Sequence, residues 1–161
     1  MPEVPELRKM SAALRSARAT LALAESCTGG LIGSEITEIS GASDFFLGSA
    51  VVYSNVSKSR VLGVKPETLE KFGAVSEETA QEMALGVLSA FNSDFAASVT
   101  GIAGPGGAVQ NKPVGTVCIA VTDGRRTISF TKHFPGDRTE VRKQSADTVF
   151  GILSDFVKGR I

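Results

Sequence analysis

The chain has 161 residues, enough for one domain with a sizeable core, because domains most often run to roughly 100 to 150 residues. Seventeen basic residues balance seventeen acidic ones, and with one tyrosine and no tryptophan the chain has neither the charge footprint nor the stacking surface of a nucleic-acid binder. No apolar run approaches the roughly 18 residues of a membrane helix, and the N-terminus lacks the basic and apolar regions of a secretory leader. Cys27 and Cys118 are too few for a disulfide framework. These features predict a cytoplasmic protein with no nucleic-acid and no membrane partner.

In chain order, the helical spacing of Leu7, Met10, Ala13 and Leu14 predicts a first helix. The apolar run Thr20 to Ala24 predicts a buried strand, and Leu31, Ile32, Glu35, Ile36 and Ile39 fall at helical spacing after it. Phe45 to Tyr53 is a second strand. Ala80, Met83, Ala84, Leu88 and Phe91 predict a helix after Ser76, with Glu77 and Glu78 in the first turn where the helix dipole favours them. Phe95 to Thr100 is a strand that runs into a glycine-rich segment. Val114 to Thr122 and Thr127 to Phe134 flank Asp123-Gly124, a two-residue hairpin signal that predicts antiparallel pairing. Asp137 with Glu140 three residues on reads as a capping box for a last helix bearing Val141, Val149, Ile152, Leu153 and Phe156. With no linker or repeat in the sequence, the expectation is an α/β fold. It is a single domain over residues 1–161, a three-layer α/β/α sandwich around a mixed sheet.

The segment Glu25-Ser26-Cys27-Thr28-Gly29-Gly30 sets three nucleophile types on a turn between strand and helix. Backbone N–H groups and the positive end of the helix dipole are expected to face whatever sits over Ser26. A tight turn of small residues that serves packing alone has the same appearance. Downstream, if Asn55 caps a helix, Lys58 falls at its N3 position, where the dipole and partial desolvation both disfavour an ammonium. A lysine so placed is a candidate general base for a serine; a solvated helix lysine is the ordinary alternative. Tyr53 either relays a proton or covers the edge of the core. Cys27 and Thr28 compete as nucleophiles, yet the only histidine, His133, falls in a hairpin strand facing solvent, which leaves a cysteine without its usual partner.

Gly101 to Gly107 is neither a Walker A loop nor a Gly-x-Gly-x-x-Gly fingerprint. After a strand it still offers backbone N–H groups to a phosphate, or is simply a flexible turn. Arg138 and Arg142, one turn apart at a helix start, form a candidate phosphate clamp or pair with Glu140 and solvent. The sequence has no histidine pair and no cysteine–histidine ligand spacing, so no metal and no cofactor is expected.

Five blocks together resemble the signature of the CinA C-terminal domain family. They are Glu25 to Gly30; Tyr53-Ser54-Asn55 with Lys58; Gly73-Ala74-Val75-Ser76; Gly101 to Pro105 with Lys112 to Val117; and Gly136-Asp137-Arg138 with Arg142. They occur in family order over nearly the whole chain. The resemblance implies a stand-alone PncC-type nicotinamide-nucleotide amidohydrolase, which converts nicotinamide mononucleotide to nicotinate mononucleotide and ammonia. It places a catalytic serine–lysine dyad on Ser26 and Lys58, with Tyr53 beside them. Substrate binding then falls to Cys27, Thr28, Gly29, Gly30, Asn55, Thr100, Gly101, Gly104, Gly106, Arg138 and Arg142, and the oxyanion to the N–H groups around Cys27 to Gly30. The second reading is a non-catalytic nucleotide-binding regulatory or interaction module, since CinA-type domains are linked with competence and DNA-damage responses. A homodimer is expected from the frequency of two-fold homo-oligomers.

Overall fold

The computed structural model describes residues 4–161. Helix α1 (Pro5–Ala17) opens on a proline, whose fixed φ suits the first helical position, and buries Leu7, Met10 and Leu14 on one stripe. Strand β1 (Leu21–Glu25) follows, then α2 (Leu31–Thr37), a 3₁₀ turn (Ala42–Asp44), β2 (Phe46–Val51), α3 (Asn55–Leu62), α4 (Pro66–Phe72) and α5 (Glu77–Phe91). The chain finishes with β3 (Phe95–Gly101), β4 (Thr116–Thr122), β5 (Thr127–His133) and α6 (Arg138–Val157).

The strands form one sheet in the order β2-β1-β3-β4-β5. β1 lies parallel to both β2 and β3, while β3–β4 and β4–β5 pair antiparallel, so the sheet is mixed. Its two faces differ in side-chain size. Leu21, Leu23, Val99, Val117, Ile119 and Val121 share a core with Leu14 of α1 and Val149, Phe150 and Leu153 of α6. The opposite face carries Ala22, Ala24, Ala96, Cys118 and Ala120, which pack against Met83, Val87, Ala80 and Ala84 of α5. Small residues let α5 approach closely enough for the Ser98 hydroxyl to donate to Ala80 O. Helices on both faces give the three-layer α/β/α sandwich expected from the sequence.

Four details differ from the sequence reading. α4 was not anticipated, although Pro66 at its start and Gly73 after its end mark its limits. β2 stops at Val51, two residues before Tyr53. The cap of α3 is Ser54, whose Oγ accepts from Ser57 N at 3.1 Å; Asn55 is the first helical residue, and Lys58 falls at N4, one residue beyond the predicted N3. The β4–β5 corner is centred on Gly124-Arg125, because Asp123 N donates to Arg126 O and the Asp123 carboxylate accepts from the Arg125 and Arg126 N–H groups. The capping box of α6 is present, with Glu140 N donating to Asp137 Oδ1 at 2.9 Å and Asp137 N to Glu140 Oε1 at 3.2 Å.

The parallel half of the sheet positions the site. Glu25 lies beside Val51 and Val99, so β1, β2 and β3 all end at the same edge. The pairing of Thr116 with His133 brings the start of β4 and the end of β5 to that edge as well, with α6 beginning a few residues later. α3 is set over α5 at a glycine: a Cβ on Gly86 would lie 2.0 Å from Leu62 O.

Candidate active site

Ser26 is the first residue after β1, and its N–H continues the β1–β3 ladder by donating to Val99 O at 3.0 Å. A strand in the middle of a sheet thus fixes its backbone, and its side chain is only 6% exposed. Lys58 reaches it from α3 across the end of β2. The lysine is 1% exposed, and Nζ lies 3.0 Å from Ser26 Oγ, 3.1 Å from Val52 O and 3.1 Å from Tyr53 O. Burial lowers the Lys58 pKa from its ordinary value. A neutral amine has two N–H donors and one lone pair. As an ammonium Lys58 donates to all three oxygens; once the proton is lost, the two carbonyls keep the remaining donors and the lone pair faces the Ser26 hydroxyl.

Cys27 stands next to Ser26 in a different state. It is buried, and desolvation pushes its thiol pKa up to about 11, so the thiolate that would compete with Ser26 is scarce near neutrality. Thr28 is fully buried, and its hydroxyl donates to Glu25 Oε1 at 2.7 Å.

A cavity of about 280 Å³ opens over Ser26. Its lining includes nine of the residues proposed from the sequence: Ser26, Cys27, Tyr53, Lys58, Thr100, Gly101, Gly104, Gly106 and Arg138. Thr100 turns its hydroxyl to Ala74 O at 2.9 Å, tying β3 to the loop before α5. A Cβ at Gly101 would come within 3.2 Å of Cys27 Sγ and 2.8 Å of Val117 Cγ2, so glycine is required for the strand end to pass the turn after β1. Arg138 spans the mouth, donating to Gly104 O at 2.8 Å and to the Tyr53 hydroxyl at 3.2 Å. Tyr53 gives its backbone oxygen to Lys58 while its ring, 65% exposed, stands at the rim.

Five proposed residues lie outside this cavity. Gly29 N donates to Ser26 O, and Gly30 N to Glu25 Oε1, so neither amide is left for an oxyanion. Among the described residues no backbone acceptor is found for the N–H groups of Cys27 and Thr28, which narrows the expected donor set from four amides to two. Thr28 faces Glu25 with its side chain. Asn55 starts α3 and does not line the cavity. Arg142 donates to Cys27 O at 3.2 Å and Thr28 O at 2.7 Å, and so braces the turn from α6.

The sequence reading missed Glu25 as a site residue, along with Ala74, Val75, Ile102, Ala103 and Gly107 of the cavity wall. Glu25 had a visible signal: an acidic residue closing an apolar strand immediately before three small or polar residues. The wall residues fell within the Gly73–Ser76 and Gly101–Gly107 segments, but apolar loop residues carry no periodicity that tells which of them line a cavity.

Among known proteins, the CinA C-terminal domain family matches residues 6–157. A CinA-like protein of Endomicrobium trichonymphae is 53% identical over 134 residues, covering 83% of this chain and 31% of that protein. One of Syntrophomonas wolfei is 45% identical over 152 residues, covering 94% of this chain and 36% of its own length. The chain thus spans about a third of the length of these curated relatives. Among solved structures, a CinA superfamily protein of Klebsiella pneumoniae superposes with a TM-score of 0.94 at 30% identity, covering 99% of both chains. The competence/damage-inducible protein CihA of Agrobacterium tumefaciens gives 0.87 at 36% identity, over 95% of this chain and 96% of that one. Sequence and fold agree over nearly the full length, and on that agreement the chain belongs to the CinA C-terminal domain family.

Proposed function

We propose that the chain is an amidohydrolase that deamidates nicotinamide mononucleotide to nicotinate mononucleotide and ammonia through an acyl-enzyme on Ser26. The observation that carries this reading is the buried Lys58 Nζ, 3.0 Å from Ser26 Oγ, with a lowered pKa and two carbonyls holding its other hydrogens. Lys58 takes the hydroxyl proton as Oγ attacks the carboxamide carbon. The tetrahedral intermediate collapses by breaking the C–N bond, with the proton passing from Lys58 to the departing nitrogen. Water then attacks the ester carbon as Lys58 accepts its proton, and the second tetrahedral intermediate breaks the C–Oγ bond while Lys58 returns that proton to Ser26 Oγ; the released acid ionises in solvent to nicotinate mononucleotide.

The oxyanion falls to the Cys27 and Thr28 N–H groups, and removing one such donor typically costs about 2.7 to 4 kcal/mol of transition-state stabilisation. Arg138 is the cation assigned to the phosphate, exchanging a carbonyl and a phenol for a charged acceptor. The cavity sets a buried amine in hydrogen-bond contact with a hydroxyl, a pairing that binding alone does not require. Ammonia release from the mononucleotide by the purified protein, absent in Ser26→Ala, is the expected result. Binding of the mononucleotide without ammonia release would overturn the reading in favour of a binding module.

A further inference from the structure

Among the described residues, the two charged side chains that are fully buried are Glu25 and Lys58, and both adjoin Ser26. Lys58 has a use in the chemistry. Glu25 touches neither the cavity nor a cation, yet a buried carboxylate is costly unless its environment compensates. That compensation comes from four donors: Thr28 Oγ1 at 2.7 Å, Gly30 N at 3.2 Å, Ile32 N at 3.0 Å and Gly33 N at 3.0 Å. Four donors and no acceptor are the surroundings of a carboxylate, which can only accept.

The residue at the end of β1 therefore grips the start of α2 with its side chain, and the intervening turn of Ser26 to Gly29 is tied at both ends. Arg142 holds the same turn from α6 through Cys27 O and Thr28 O. A trans peptide points its N–H opposite its C=O, so with Cys27 O drawn to Arg142 the Thr28 N–H is directed away from α6. Gly30, Ile32 and Gly33 have their amides filled, which leaves those of Cys27 and Thr28 as the open donors of the turn.

We propose that Glu25 is the positioning residue of the nucleophile turn, holding Ser26 Oγ against Lys58 and the Cys27 and Thr28 N–H groups in the geometry an acyl transfer needs. The inference rests on the amidase reading only for the identity of the substrate. Glu25→Gln keeps the shape but turns an NH₂ toward an N–H donor, so the turn shifts. A displacement of about 1 Å at a reacting group costs on the order of a hundredfold in rate.

The test is covalent labelling of Ser26 by a fluorophosphonate, which reads nucleophile geometry without reference to the natural amide, alongside turnover of nicotinamide mononucleotide. Folded Glu25→Gln is expected to label about a hundredfold more slowly than wild type. Its kcat falls in parallel, KM stays within about threefold, and the midpoint of the pH–rate limb does not move. Glu25→Asp, which keeps the charge but reaches fewer donors, is expected to be folded and intermediate in rate. It decides the matter if the glutamine variant does not fold.

Labelling at the wild-type rate in either folded variant overturns the inference while leaving the amidase reading intact. Fast, Glu25-dependent labelling of a protein that releases no ammonia supports the inference and removes the amidase reading. A wild-type protein that does not label at Ser26 overturns both.

Discussion

Arg142 Nη2 lies 2.7 Å from Thr28 O, a contact between residues 114 positions apart that fastens the last helix to the turn after the first strand. With Nε on Cys27 O at 3.2 Å, the guanidinium has its fork committed to two backbone oxygens. The sequence suggested a phosphate clamp at this position; the geometry gives it to the nucleophile turn. Arg142→Lys cannot make the same paired contact. It is expected to lower kcat/KM for nicotinamide mononucleotide and nicotinamide riboside by the same factor, about tenfold. A loss confined to the phosphorylated substrate would return Arg142 to phosphate binding.

Arg138 carries the opposite expectation. Charge-assisted hydrogen bonds contribute roughly 1.5 to 3 kcal/mol each, so Arg138→Ala should reduce the preference for mononucleotide over riboside by about tenfold or more. The ratio of the two kcat/KM values is the measurement. An unchanged ratio would move phosphate recognition elsewhere in the cavity.

The choice of nucleophile is tested by paired substitutions. Ser26→Ala is expected to abolish ammonia release while retaining the fold, and Cys27→Ala to retain substantial activity, since a thiol whose pKa is raised to about 11 is almost entirely protonated at neutral pH. The reverse outcome would assign the reaction to the thiol.

Lys58 predicts two pH dependences from one cause. Burial lowers its pKa, so activity rises with pH through an ionisation below that of a free lysine, near 10.4, and Lys58→Arg is inactive because a guanidinium stays protonated. For stability the unfolded chain holds the lysine proton more tightly than the folded one. Stability therefore increases with pH from the folded pKa up to the unfolded value, and the cost of burying the ammonium is fully present below the folded pKa. Urea unfolding of wild type and Lys58→Met across this range gives the measurement. The difference between them should change in favour of wild type as pH rises, and a pH-independent difference would show that Lys58 titrates normally.

Gly86→Ala tests the placement of the base. Alanine is the better helix former by about 1 kcal/mol, but its Cβ would meet Leu62 O at 2.0 Å, and overpacking of this kind costs about 1 to 3 kcal/mol. The variant is expected to be less stable in denaturant and lower in kcat, because α3 must lift and take Lys58 with it. A variant as stable and as active as wild type would mean that the α3–α5 crossing has slack.

Much of the fold was legible because its elements obey simple periods. α1, α5 and α6 show apolar stripes, and Asp137 with Glu140 announces the start of α6. α4 escaped because seven residues over an exposed surface leave too little pattern. Ser54 and Asn55 are both good caps, and only the Ser57 N contact distinguishes them. At the site, the pairing of Ser26 with Lys58 followed from motif resemblance, while its supports did not. Glu25 and Arg142 act on backbone atoms of the turn, and no spacing in a sequence encodes which carbonyl a guanidinium will reach.

The order β2-β1-β3 has a consequence for how such a site can diversify. From β1 the chain turns to one side through α2, then crosses back over β1 through α3, α4 and α5 to β3, which makes the carboxyl end of β1 a topological switch point. Ser26 directly follows the interior strand β1 and is held to β3 through Val99 O, whereas Tyr53, Ala74 and the Gly104–Gly107 loop belong to connections outside the sheet. Loops of this kind tolerate exchange far better than strands. The architecture separates a serine and lysine fixed by the sheet and its first crossover from cavity walls built on replaceable loops, so under the amidase reading the walls are where a change of substrate would fall.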